Sequence, residues 1–195
     1  MMKHEQLRTR KHARESGFSL LEVVLASVIL MVGLLSLLAV FSAALASTQT
    51  TQQDQIARQK AKEGLESVFT ARTTGQIDFD QIKNDVNGGI YLTGFQPLRA
   101  AGPDGLVGTT DDTNSADPAC GGYECVLLPG PDGILGSSDD VHLPLSNYQR
   151  NIAIVDVLNA DGTVNQNLRQ IDVTIQYTAP RQRTYTSTAL ISRYK

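Results

Sequence analysis

Histidine, cysteine and basic charge are thinly spread in this chain, and each scarcity removes a class of function. Three histidines occur among 195 residues, His4, His12 and His142. The first two fall in a basic N-terminal segment, so no second imidazole accompanies His142 in a zinc site, and His142 is expected in a surface loop. Serine and threonine are plentiful, yet no nucleophile elbow, phosphate loop or Gly-rich dinucleotide fingerprint surrounds any of them. No enzyme is expected, and no cofactor is required. No Lys or Arg lies between Arg99 and Arg150, and no basic stripe with interleaved aromatics occurs, so the counterion release behind nucleic-acid binding has no source. Arg181, Arg183, Arg193 and Lys195 are expected as solvated strand residues. Proline is absent before Pro97, which leaves the first half of the chain free to form an unbroken helix.

What the sequence does contain is one long apolar run. From Phe18 to Ala46 there are 29 residues with Glu22 as the only charge; as a helix they span roughly 43 Å, more than the ~30 Å core of a bilayer. Ahead of it, Lys3, Arg8, Arg10, Lys11 and Arg14 outweigh Glu5 and Glu15, and a basic flank stays on the cytoplasmic side. A carboxylate inside such a run costs roughly 2.5 to 3.5 kcal/mol to insert at the helix centre, so Glu22 is a functional residue by default and its natural partner is a positive charge on another chain. A secretory signal would end at Ala44-Leu45-Ala46, but its apolar region is only about 7 to 15 residues long.

The order of basic leader, Gly17, Phe18, three residues, Glu22 and long apolar run resembles the processing site of type IV prepilins and pseudopilins. The resemblance implies cleavage between Gly17 and Phe18 by an inner-membrane aspartyl prepilin peptidase, N-methylation of Phe18, and pairing of Glu22 with the new α-amino group of an adjacent subunit. Val32-Gly33-Leu34-Leu35 behind the motif looks most like the PilV-type minor pilins and the I-type pseudopilins of type II secretion. The implied partners are the peptidase and other major and minor pilins, met through the N-terminal helix. The implied location is the inner membrane, N-terminus cytoplasmic and head periplasmic, and then a pilus or pseudopilus. Many major pilins carry a proline within the apolar half of this helix, and this chain does not.

Removal of residues 1–17 leaves 178 residues with 12 Lys+Arg against 18 Asp+Glu, an acidic chain of net charge -6. Residues 18–46 are the membrane or filament-core helix, and 47–72 continue it. Ile56, Ala57, Ala61, Leu65, Val68 and Phe69 recur at three- and four-residue intervals and make one apolar stripe for a sheet to cover. Residues 73–96 are turn-rich, with a short helix expected around Phe79 to Asp85. Strands are expected over Asn151 to Leu158, Arg169 to Thr178 and Arg183 to Ser192, with a turn at Asn159-Ala160-Asp161-Gly162 and a long link to the second strand. The fold class is α+β, a long N-terminal helix packed on a small antiparallel sheet within a head of residues 73–195.

An acidic insertion, 100–145, interrupts the head and contains a repeat. Gly102-Pro103-Asp104-Gly105-Leu106-Val107-Gly108-Thr109-Thr110-Asp111-Asp112 returns 28 residues later as Gly130-Pro131-Asp132-Gly133-Ile134-Leu135-Gly136-Ser137-Ser138-Asp139-Asp140, with seven of eleven positions identical. Between the copies lie Cys120 and Cys125, the only cysteines. An even pair outside the cytoplasm reads as a disulfide closing a small loop. Each repeat offers three carboxylates, Asp104, Asp111 and Asp112, then Asp132, Asp139 and Asp140. Glycine-rich loops with clustered Asp can supply the six to eight oxygens that Ca²⁺ takes, although the spacing is not that of an EF-hand; the alternative is a pair of solvated turns.

These readings converge on a structural minor pilin that enters or primes a type IV pilus. A type II secretion pseudopilin shares the same N-terminus. A membrane-tethered calcium- or ligand-binding module that does not polymerise is the alternative from another class.

Overall fold

The computed structural model describes residues 19–112, 118–178 and 181–194. The leader, Gly17 and Phe18 therefore lie outside the described residues. The chain divides into two compact units, Met1–Ser47 and Thr48–Lys195.

A single helix, α1 (Leu20–Thr74), contributes to both units. In the first unit its side chains are exposed throughout, and the segment is long and apolar enough to cross a membrane. In the second unit its buried residues are Ala57, Ala61, Gly64, Val68 and Ala71. The stripe is thus centred on small residues, with Ile56, Leu65 and Phe69 half-buried beside it. Small side chains let the helix backbone approach the sheet closely: a Cβ at Gly64 would stand 3.0 Å from Val173 Cγ1. The helix ends at Gly75, whose φ of 78° supplies the left-handed residue that lets Gln76 N–H reach back to the Ala71 carbonyl at 2.9 Å.

The sheet has strands β1 (Gln96–Pro97), β4 (Tyr148–Leu158), β5 (Val164–Thr178) and β6 (Gln182–Ser192) in the order β1-β4-β5-β6. All pairs are antiparallel. Alternation on β5 places Ile171, Val173, Ile175 and Tyr177 in the core with Tyr148 and Ile152 of β4 and Ile191 of β6, which is the period-2 pattern of a sheet buried on one face. The α+β layout expected from sequence is the one found. The three long strands were legible, but β5 starts at Val164 rather than Arg169, so the link after β4 is a tight turn over 159–163 and not a long connection. Asn165, Gln166 and Asn167 give no apolar alternation, and it is pairing with β4 and β6 that extends the strand.

Two further strands, β2 (Cys125–Leu128) and β3 (Val141–Pro144), form a separate hairpin inside the insertion. The expected single helix over Phe79 to Asp85 is instead two 3₁₀ turns, Phe79–Gln81 and Asp85–Asn87. Between them Asn84 is buried, its amide donating to the Ile152 carbonyl at 2.7 Å and its oxygen accepting from Ile154 N–H at 2.8 Å. One side chain thereby occupies the β4 edge beyond the two-residue β1, where unpaired strand groups would otherwise be left open.

The insertion is not wholly solvated: within residues 100–145, Leu106, Val107 and Leu145 belong to the core. Arg193 is likewise no solvated bystander: it donates to Asp80 at 2.7 Å and lies over the Phe79 ring at 4.9 Å, while Arg169 stacks on the same ring at 4.3 Å.

Candidate functional site

Three features carry the chemistry of this chain, and each is built by a different part of it. The first is the start of α1. Ser19 opens the helix, its carbonyl accepting from Glu22 N–H at 2.9 Å and Val23 N–H at 3.2 Å. Glu22 falls in the first turn, where the positive end of the helix dipole favours a carboxylate. Farther along, Ser27 and Ser36 donate back to the carbonyls of Val24 and Val32, both at 2.8 Å, so their hydroxyls are satisfied within the helix. Glu22 is left as the one charged group of the apolar segment.

The second feature is the repeat, whose two copies have the same internal geometry. Gly105 N–H donates to the Gly102 carbonyl at 2.9 Å, and Gly133 N–H to that of Gly130 at 3.0 Å. Asp104 Oδ1 accepts from Leu106 N–H and Asp132 Oδ1 from Ile134 N–H, both at 2.8 Å. Asp111 and Asp139 each accept from the N–H of the repeat's first aspartate, at 3.2 and 3.3 Å. Asp112 and Asp140 accept from Gly108 and Gly136 N–H at 2.9 and 2.6 Å. A Cβ on Gly102 or Gly130 would come 2.2 Å from the carbonyl oxygen of Asp111 or Asp139, so only glycine closes the loop. The motif is therefore a self-hydrogen-bonded turn in which each Asp has a defined acceptor role.

The environment changes the acids unequally. The Thr109 hydroxyl holds the Asp111 carboxyl below its ordinary range, and the Ser137 hydroxyl does the same for Asp139. Burial pushes Asp112 up. Among the described residues, the one group of three side chains with ligating atoms close enough to share an ion is Cys120, Cys125 and His142. Its two sulfurs are joined as the Cys120–Cys125 disulfide, as the cysteine count implied. His142 is exposed, as expected, but sits on strand β3 instead of a loop. The three carboxylates of each repeat do not form such a group.

The third feature was not legible in the sequence. Arg150 of β4, 3 % exposed, and Glu124, 7 % exposed, lie in the head interior. Lys60 Nζ of α1 lies 2.6 Å from Glu124 Oε2 in a close ion pair. Arg150 Nη1 stands 3.9 Å from Glu124 Oε1, and its Nε and Nη1 have no hydrogen-bond partner. Burial lowers the Arg150 pKa; for Lys60 the opposing pull of burial is outweighed by Glu124 and Glu63, and its pKa rises. Glu124 also anchors the disulfide loop by main chain, donating to the Leu98 carbonyl at 3.0 Å and accepting from Leu145 N–H at 2.9 Å. Helix, sheet and insertion meet at this one carboxylate.

Compared with family models, curated proteins and solved structures, the chain matches none.

Proposed function

We propose that this chain is a minor pilin, made as a prepilin, cut between Gly17 and Phe18 by a prepilin peptidase, N-methylated on Phe18, and carried into a type IV pilus by its N-terminal helix. The observation that carries the reading is Glu22: one carboxylate in the first turn of an apolar helix, four residues after the Phe18 that would bear the new amino group. In hydrocarbon an unpaired carboxylate is costly, and a Glu-to-amine pair between neighbouring helices removes that cost while fixing their axial stagger. Two other polar groups of the span support the reading, because Ser27 and Ser36 are satisfied within their own helix and ask nothing of a partner.

In this reading the subunit waits in the inner membrane with residues before the span in the cytoplasm and the head in the periplasm. Its partners are other major and minor pilins, and no cofactor enters its assembly. The test is Glu22→Val, which is expected to be cleaved normally but to enter filaments poorly; assembly at wild-type level would remove the charge pair and with it the registration role.

A further inference from the structure

The two repeats have the same backbone and the same carboxylate contacts, yet opposite surroundings. In the first copy the apolar pair Leu106-Val107 is 2 % and 4 % exposed and belongs to the head core. In the second the corresponding pair Ile134-Leu135 is 66 % and 60 % exposed. The carboxylate contacts that close the two loops match, so they do not account for the difference. It comes from a socket that the head provides for the first copy and not for the second.

That socket has a definite chemistry. Leu106 and Val107 stand beside the α1 face bearing Ser67 and Ala71, and Gly108 stands against Ile152 of β4, its absent Cβ 2.9 Å from Cδ1. Leu92 N–H donates to the Gly108 carbonyl at 2.8 Å. An apolar recess and one main-chain donor thus receive one self-closed acidic loop.

We propose that the second repeat is a plug for a socket of this same chemistry on a different protein subunit, in which an apolar recess takes Ile134 and Leu135 and a Lys or Arg faces Asp140. Charge complementarity selects that occupant. Residues 100–149 hold eight acids and no Lys or Arg, so the partner brings the cation. A second copy of this chain is a poor occupant because its socket is already filled by its own first repeat. An anionic lipid surface repels Asp132, Asp139 and Asp140. The apolar surface continues from the plug along one face of the β2-β3 hairpin, where Leu128, Val141 and Leu143 are exposed; a two-stranded hairpin is marginal in water without something packed on it. The plug acts whether or not the partner is a filament subunit, so the proposal stands apart from the pilin reading.

The experiment places a photoreactive phenylalanine analogue at position 134 of the full-length chain in its native membrane, with position 86 as control, since Val86 is 72 % exposed and lies outside the repeat. Irradiation is expected to join position 134, and not position 86, to another polypeptide, at a mapped segment that combines apolar residues with a Lys or Arg. Leu135→Asp is expected to cut that yield about tenfold, as for loss of a hot-spot side chain, without moving the unfolding midpoint. The proposal is overturned by a yield no greater than at position 86. Products joined to lipid, to a second copy or to a segment without a cation would also overturn it, as would a yield indifferent to Leu135→Asp. If Leu135→Asp unfolds the head, the pair is not bare and the proposal fails on its premise.

Discussion

Replacing Glu124 by Gln isolates the buried charge cluster, because it keeps the shape of the side chain and removes only its charge. Arg150 is then left 3 % exposed with no carboxylate at 3.9 Å, and Lys60 retains only Glu63, at 2.8 Å. Breaking a buried pair by removing one partner costs about 3 to 5 kcal/mol, and because Asp112 and Glu63 still act on the Arg150 charge the upper figure is a ceiling. For a head of this size that corresponds to a fall of roughly 6 to 20 °C in the unfolding midpoint. Arg150→Met behaves differently. It removes the less satisfied charge, whose Nε and Nη1 have no hydrogen-bond partner, and leaves Glu124 with Lys60 at 2.6 Å. A flexible apolar side chain can also fill the space beside Gly64 and Val173. Replacement of buried ion pairs by packed apolar groups is often neutral or stabilising, so Arg150→Met is expected to lose at most about 1 to 2 kcal/mol. The assay is urea unfolding of the purified full-length chain in detergent, followed by near-ultraviolet circular dichroism of the head tyrosines. Arg150→Met proving at least as damaging as Glu124→Gln would refute the reasoning, because Glu124 would then not be the shared counter-charge.

The double variant Cys120→Ser/Cys125→Ser is expected to fold with its four-stranded sheet intact while the insertion becomes protease-sensitive. The six-residue ring restricts the unfolded chain less than the ~3 kcal/mol of a 15-residue loop, and loss of the whole head on reduction would contradict this. The repeat carboxylates already accept from their own loops and do not converge in threes, so the unfolding midpoint is expected to be the same in millimolar Ca²⁺ and in chelator. A Ca²⁺-dependent rise that disappears in Asp111→Ala/Asp139→Ala would establish a cation site instead. Asp85, Asp111 and Asp139 are held low chiefly by hydroxyls of Thr93, Thr109 and Ser137. Their contribution is therefore complete above the ordinary carboxylate range and lost as pH falls through their depressed values. Asp112, raised by burial, runs the other way and favours the folded state when protonated, so Asp112→Asn is expected to raise stability at pH 7 relative to pH 4.

Much of the fold was legible because it rests on periodicity. The 3.6-residue recurrence from Ile56 to Phe69 located the buried face of α1, and the alternation in Ile171, Val173 and Ile175 located β5. What escaped depends on tertiary partners. Gly64 and Ala71 carry little hydrophobicity, yet they lie in the stripe because the sheet approaches closely there. Asn84 and Glu124 look like surface residues until their partners, the β4 edge in one case and Lys60 with Arg150 in the other, are brought to them. Pro97 cannot donate to a ladder, and β1 exists only as a two-residue edge. The repeat was visible as sequence, but nothing in either copy distinguished Leu106-Val107, which fills the core, from Ile134-Leu135, which does not.

The central claim is most directly tested by the intact mass and N-terminal sequence of the chain purified from its own membrane. The account predicts a mature chain beginning at Phe18 with one added methyl group on its α-amine and residues 1–17 absent. A chain that begins at Met1, or at Ser47 after signal cleavage, or at an unmethylated Phe18, would contradict it.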